Sequence, residues 1–535
     1  MHPADPNFLI EGNDGGLAIS RDRGKSWEFA ENLPLAQFYH INVDDAVPYN
    51  IMGGMQDNGS WVGPSEVWAA GGIRNHYWRE VAFGDGFDVM AKPGDNRTVY
   101  AMSQGGFVNR IDKETGESVY IKPIHPEGEH LRFSWNAAIA QDPFEPCKIY
   151  FGSQYLHRST DCGDSWTLIS GDLTTNDSTK QKQALSGGLT IDATEAENFT
   201  TILAIAPSPL QKDLIWVGTD DGQLQMTRDG GVSWKNMSAK LPGMPKGAWI
   251  PQIEVSKHTA GEVFVVVNDY RRNNWAPYLY HSRDYGATWR RIADEKSVDG
   301  YALSVVQDPV QENLLFLGTD HGLFFSIDYG ANWTKWDKGF PSVPTRDMKI
   351  HPREHDLVLG TWGRAAWVLD DITPLRQLAK DGEKMLEKDF ILFPVYDCIN
   401  AEYRSVDEGR FLGQSNFRGR NQRRGAVISL WIKEPKKKKG KAEGKGEKND
   451  KGEKDEKGKK KADKAGKKDA KGGEKEMAGK KGKMGKMPPG QDMIEMAILN
   501  MNGDTIRNYE MKPDTGLMRF TWGLQRNGID YPRYN

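Results

Sequence analysis

Ser20-Arg21-Asp22-Arg23-Gly24-Lys25-Ser26-Trp27 is one of five copies of an eight-residue phrase that returns as Ser159 to Trp166, Thr227 to Trp234, Ser282 to Trp289 and Ser326 to Trp333. The shared pattern is Ser or Thr, then Asp two residues on, Gly two further, a small polar residue, and a closing Trp. Each residue type has a physical task. The Asp carboxylate and the hydroxyls bond nearby backbone N–H groups, and the Gly accepts positive φ without Cβ strain, so the phrase reads as a rigid turn. The Trp adds a large apolar surface whose truncation, when buried, costs roughly 3–5 kcal/mol. It is expected to wedge neighbouring sheets together.

The aspartates Asp22, Asp161, Asp229, Asp284 and Asp328 are separated by 139, 68, 55 and 44 residues. A blade of four short strands needs about 40–50 residues, so the first interval must hide blades whose turn has decayed. Residues 36–81 and 83–122 keep the strand rhythm and fill it. A second phrase precedes most turns, an apolar run into a polar Gly-rich hairpin: Leu9 to Gly16, Ile215 to Gly222 and Leu315 to Gly322. Prolines at Pro207, Pro309 and Pro352 end the innermost strands. About six complete blades and a partial one at each end emerge, and an all-β propeller of seven or eight blades is the expectation.

The eight-residue turn is the Asp-box, or BNR repeat. From residue 7 to 375 the chain resembles the BNR-repeat β-propellers, which include sialidases, xyloglucanase-like proteins and sortilin-type (VPS10) domains. The run Leu359 to Asp371 resembles the terminal strands of extracellular, sortilin-like or glycosyl-hydrolase-like members. The resemblance implies that the boxes lie between third and fourth strands on the outer rim, away from the ligand face. The five box aspartates are therefore structural residues.

Beyond residues 1–375 the reading gives a connector over 376–420 and an incomplete β-sandwich over 421–535. The order of Gly425 to Ile432, Met493 to Asn500, the Asn502-Gly503 turn and Gly516 to Trp522 resembles the FlgD-type immunoglobulin-like domain, in which the strand about Val427 would pair with that about Ile498. A low-complexity insertion over 434–490 interrupts it. Between Lys436 and Lys486 there are 22 lysines against 10 acidic residues, with no aromatic or β-branched residue. Such a run cannot bury enough apolar surface to offset its chain entropy and reads as a solvated, disordered loop. With a whole-chain charge of −3 and +12 in this run, the rest carries −15, which argues against specific nucleic-acid binding.

No apolar run approaches the roughly 20 residues needed to span a bilayer. Both termini look cut, so the chain reads as a monomer or as part of a longer secreted protein, extracellular or at the cell surface. Cys147 and Cys162 stand at the two ends of one predicted hairpin, where they form either a disulfide or two unrelated thiols, and Cys398 is left over. No metal or phosphate motif occurs, and no cofactor is expected.

Turns between second and third strands cluster round one mouth of a propeller. That ring offers Asp14, Gln56, Asp57, Gln104, Gln154, Asp220, Asp320, Trp362 and Arg364, and the longer turn from Asn268 to Trp275 adds Asp269, Tyr270, Arg271 and Trp275. Its Arg and aromatic mix suits sugar or peptide contact. The loop from Ser170 to Thr200, with Asp172, Asp177, Asp192, Glu195 and Glu197, is long enough to be functional. Neither a sialidase Arg-Ile-Pro start nor its arginine triad is present. The first functional reading is a noncatalytic propeller binding a protein, peptide or glycan at its mouth. The alternative is a BNR-type glycoside hydrolase with Asp57 and Asp220 or Asp320 as paired carboxylates. A purely structural surface protein is the third.

Overall fold

The computed structural model describes residues 1–181, 198–405, 417–433, 493–512 and 514–527. The 434–490 insertion, Asp192, Glu195 and Glu197 lie outside the described residues. The chain divides into two compact units. The first holds Met1–Glu387, Leu392–Ser429 and Arg519–Leu524, and the second holds Lys388–Ile391, Leu430–Met518 and Gln525–Asn535.

The first unit is a β-propeller. Blade 1 comprises Phe38–Val43, Asn50–Met55, Ser60–Pro64 and Arg79–Ala82, and blade 2 comprises Gly86–Lys92, Asp95–Ser103, Phe107–Asp112 and Ser118–Tyr120. Blade 3 follows with Ile139–Gln141, Ile149–Gly152, Leu156–Ser159 and Thr167–Leu168, and blade 4 with Ile202–Pro207, Ile215–Thr219, Leu224–Thr227 and Lys235–Asn236. Blade 5 comprises Trp249–Val255, Val263–Asp269, Asn274–Ser282 and Arg290–Ala293, and blade 6 Ala302–Gln307, Leu315–Thr319, Gly322–Ser326 and Thr334–Lys335. Blade 7 has three strands, Thr345–Ile350, Leu357–Thr361 and Ala366–Leu369. Every pairing within a blade is antiparallel.

Seven apolar clusters, each shared by two neighbouring blades, weld these sheets into a ring. The closing cluster joins Ile41, Tyr49 and Ile51 of blade 1 to Val358 and Val368 of blade 7. Ile215–Thr219, Leu315–Thr319 and Leu357–Thr361 are buried along their whole length, because a second strand is covered on both faces by adjacent blades. The same packing explains the glycine in the repeated Val-Gly-Thr and Leu-Gly-Thr phrases. A Cβ on Gly218 would strike Ile250 and one on Gly318 would strike Thr345, both on the innermost strand of the next blade. Gly360 of blade 7 faces Ile41 and Phe38 of blade 1 in the same way, so the ring closes by the rule that builds it.

The N-terminal sheet Leu9–Asn13, Gly16–Ser20 and Glu28–Phe29 contributes to none of the seven clusters, and Ile10, Trp27 and Phe29 on it are exposed. The segment before Ala426–Ile432 lies along blade 1, where Val67 N–H donates to Asn421 Oδ1 at 2.9 Å and Ile73 N–H to the Gly419 carbonyl at 2.9 Å. In the second unit, Ile494–Leu499 forms an antiparallel pair with Thr505–Met511 alone, with Met496 opposite Tyr509. Among the described residues the Val427 and Ile498 strands, which the immunoglobulin-like resemblance implied would pair, are not paired. The tight Asn500 to Asp504 turn, closed by Asn500 Oδ1 on the Asp504 N–H at 2.8 Å, commits Ile498 to its sequence neighbour.

Each Asp-box turn is saturated internally. In the second, Ser159 Oγ donates to Asp161 at 2.7 Å, while Asp161 accepts from the Ser165 N–H at 2.9 Å and Ser165 Oγ at 2.6 Å. Those bonds hold the Asp161 carboxyl down at about 2. Trp166, Trp234 and Trp333 donate their indole N–H to Ile121, Ile169 and Ile292, carbonyls on the outer edge of the preceding blade, at 2.7, 3.1 and 2.7 Å. Cys147 and Cys162 are joined as a disulfide across the base of one hairpin, with Cα atoms 4.3 Å apart, and Cys398 is free.

Candidate functional site

The mouth is built by one repeated backbone bond. The N–H of a residue in a second-to-third-strand turn donates to a carbonyl just before or at the start of the innermost strand of the same blade. The pairs are Gln56 to Gln37, Asp220 to Thr201, Asp320 to Tyr301 and Trp362 to Pro344. Turns and innermost-strand starts therefore share one rim, and Tyr39, Trp249, Tyr301 and Arg346 arrive there beside the expected turn residues.

Two aromatic groups define the surface. On blades 5 and 6, Tyr270 stacks on Tyr301 with ring centroids 4.5 Å apart, Trp275 lies 5.7 Å from Tyr301, and the Arg271 guanidinium sits 3.4 Å above Trp249 and 4.4 Å from Tyr270. On blades 1, 2 and 7, Tyr39 packs on Phe87 at 4.2 Å and edge-on to Trp362 at 4.8 Å, with Arg346 over both Trp362 and Tyr39 at 5.1 and 5.4 Å. Burial pushes the Tyr39 and Tyr301 hydroxyls up to about 12, which keeps both neutral donors. Trp275 is 55% exposed.

The carboxylates separate by environment. Gln56 accepts from the Tyr39 hydroxyl and donates to Asp57 at 3.1 Å and to Asp85 at 3.0 Å. The Asp57 N–H donates to Asp85 at 2.8 Å, and the Asp85 N–H to Gln104 Oε1 at 2.9 Å. Burial raises the Asp85 carboxyl, with repulsion from the exposed Asp57 adding to it against the bonds it accepts. Asp320 is raised by burial too, and its Oδ1 is buried with no hydrogen-bond partner. Its other oxygen faces His321 at 3.6 Å, which also bonds Asp299 at 3.0 Å.

Asp220 is withdrawn from the accessible ring expected of the turns. It is 1% exposed, accepts from the Thr201 N–H at 2.9 Å and hydroxyl at 2.6 Å, and is pushed up to about 8 by burial. Gln154 is likewise buried, bonded to the Arg132 N–H and the His130 carbonyl. Asp269 holds its own loop through Arg272 and Asn274. Asp14 sits exposed on the N-terminal sheet, where its carbonyl accepts from Asn58 at 3.1 Å, and Arg364 is exposed beside Trp362. A side cleft of about 450 Å³ opens between blades 4 and 5, lined by Thr175, Lys180, Phe199, Asp221, Met244 and Arg272.

Around Asp347 acidic and basic side chains meet. Asp347 accepts from the Ile41 N–H at 3.1 Å and lies 3.4 Å from His40 and 3.9 Å from Lys349. Burial opposes its charge, but Lys349 and His40 hold its carboxyl below the ordinary range. Among the described residues no group of three His, Cys, Asp or Glu side chains could hold a metal ion, and no helix is long and apolar enough to cross a membrane.

Sequence reasoning missed Tyr39, Asp85, Trp249, Tyr301 and Arg346. Each stands within a residue or two of the start of an innermost strand, and that position relative to the turn pattern was the available signal.

No known protein-family pattern matches the chain. It is 22% identical over 206 residues to an oligoxyloglucan-reducing end-specific xyloglucanase of Emericella nidulans, covering 38% of this chain and 23% of that protein. It is 26% identical over 170 residues to a probable enzyme of the same description from Neosartorya fischeri, covering 29% and 19%. The chain thus spans less than a quarter of the length of these curated relatives. Similar solved structures include YCF48 from Cyanidioschyzon merolae, at 10% identity and a TM-score of 0.41, covering 63% of this chain and 95% of that one. The extracellular domain of a putative one-component system from B. thetaiotaomicron gives 13% and 0.40, with 63% and 38% covered. A GH74 enzyme from Niastella koreensis gives 13% and 0.24, with 69% and 67% covered.

Proposed function

We propose that this propeller is a carbohydrate-active protein of the glycoside-hydrolase type, holding a glycan across its mouth on Tyr270, Trp275 and Tyr301. The observation that carries the reading is the aromatic platform with a carboxyl of raised pKa, Asp320, next to Tyr301. Glycoside hydrolysis needs one carboxyl kept protonated to donate to the leaving oxygen and a second, ionised carboxylate to attack or to activate water. Asp320 and the exposed Asp57 are the two carboxyls assigned to this pair. The partial likeness to two fungal xyloglucanases supports the same class. The disulfide between Cys147 and Cys162 favours an oxidising, exported setting.

The test is a polysaccharide-hydrolysis screen read by new reducing ends, run on the full chain beside Asp320→Asn and Asp57→Asn. Hydrolysis abolished in both, with unchanged thermal melting, supports the assignment. A folded protein that cuts no polysaccharide sinks the hydrolase. Binding without cleavage is the second reading, favoured by the exposure of Trp275 and the burial of Asp220, and glycan affinity without hydrolysis would select it.

A further inference from the structure

Several arginines of the propeller are spent on acidic neighbours. Arg272 pairs with Asp269, Arg132 with Asp172, Arg110 with Asp164, Arg376 with Asp308 and Arg291 with Glu295. Arg271 and Arg346 differ. Neither has an ion-pair or hydrogen-bond partner among the described residues, and each is held only by aromatic faces, Arg271 by Trp249 and Tyr270, Arg346 by Trp362 and Tyr39. Stacking fixes the plane of a guanidinium and leaves its in-plane N–H donors unused, a fork shaped for carboxylate or another oxyanion.

The two forks belong to one mouth. Arg271 is exposed, and Arg346 acts on it as a nearby like charge. Tyr301 feels both cations. An anion between them would relieve that repulsion.

We propose that the glycan accepted at the mouth is anionic, its sugar rings lying on Tyr270, Trp275 and Tyr301 and its carboxylate or sulfate groups held by Arg271 and Arg346. This rests on the glycan-binding reading above and names the substrate class within it. The exposed Trp275 ring suits the apolar face of a pyranose, whereas an acidic peptide would need only the cations.

The experiment is calorimetric titration of the full chain with four probes: oligogalacturonate, chondroitin sulfate oligosaccharide, xyloglucan oligosaccharide and a poly-glutamate peptide. The expected result is about tenfold or greater preference for an anionic glycan over the neutral one, the scale of one charge-assisted hydrogen bond. The affinity should fall with salt. Arg271→Gln and Arg346→Gln should each remove most of that preference, and Arg271→Lys should restore part of it, with melting temperatures unchanged. The stronger of the two anionic probes identifies carboxylate or sulfate. Equal or tighter binding of xyloglucan oligosaccharide, unaffected by the arginine substitutions, overturns the anionic assignment and leaves the glycan mouth standing. Failure of every glycan, or tightest binding of the peptide, overturns both.

Discussion

The rim and the mouth of this propeller use Asp, Arg and Trp to opposite ends. On the rim, Asp161 fills its acceptor sites from Ser159 and Ser165, and Trp166 donates across to the Ile121 carbonyl. At the mouth, Asp320 keeps a buried oxygen without a partner, Arg271 and Arg346 stack without an anion, and Trp275 bonds only within its own turn, to Asn273 at 2.9 Å. Repetition here marks groups whose hydrogen-bonding capacity is used up in holding the blades together. Free capacity collects where the repeat is broken, in the long turn of blade 5 and at the starts of innermost strands.

The comparison breaks first if the rim tryptophans are dispensable. Trp333→Ala should lower the unfolding free energy by about 3–5 kcal/mol, measured by denaturant titration. Trp27→Ala, on the exposed N-terminal sheet, should cost about 1 kcal/mol or less. Equal losses would show that the box itself, rather than the blade behind it, sets the effect. Removing the disulfide with Cys147→Ala and Cys162→Ala closes off a constraint on a 15-residue separation and should cost about 3 kcal/mol. A stability insensitive to reductant would contradict this.

Acid titration sharpens the contrast, because rim and turn carboxyls are shifted in opposite directions. Asp161 and Asp229 are depressed to about 2 by the bonds of their own turns. Their contribution is complete above an unfolded value of about 3.9 and is lost as pH falls toward about 2. Asp161→Asn should flatten that limb. Asp220, raised to about 8 by burial, does the reverse. In that window the folded state holds the proton that the unfolded state has released, so stability declines as pH rises from about 4 to about 8. Asp220→Asn should remove this slope, and a slope that persists would place its origin elsewhere. The smallest effect expected is at the mouth, where Trp275→Ala should leave melting unchanged and weaken glycan binding by about 0.5–1.5 kcal/mol, the scale of one aromatic contact. A clear loss of stability would make Trp275 a structural residue like those of the rim.

Strand rhythm, the decayed blades over 36–81 and 83–122, and the rim turns were legible because they are local. The bonds of an Asp-box span four residues, from Asp161 to Ser165, and the pattern that makes them is printed in order. The mouth was legible only in part. Tyr270 and Arg271 advertised themselves in an irregular turn, whereas Arg346 and Tyr39 lie inside ordinary strand starts and acquire meaning only where they meet. Asp220 and Asp320 share one turn pattern, and nothing in that pattern says which is sealed under Thr201 and which keeps a bare oxygen.

By itself the sequence determined that this chain builds Asp-box blades, since the turn chemistry acts over a few residues. Tertiary structure decided that seven blades close with Gly360 against Ile41, leaving the first sheet outside the ring. It also decided which carboxyls are buried and which arginines go unpaired. Burial and charge pairing depend on neighbours some 300 residues away, such as Asp347 beside Ile41, and no local pattern encodes them.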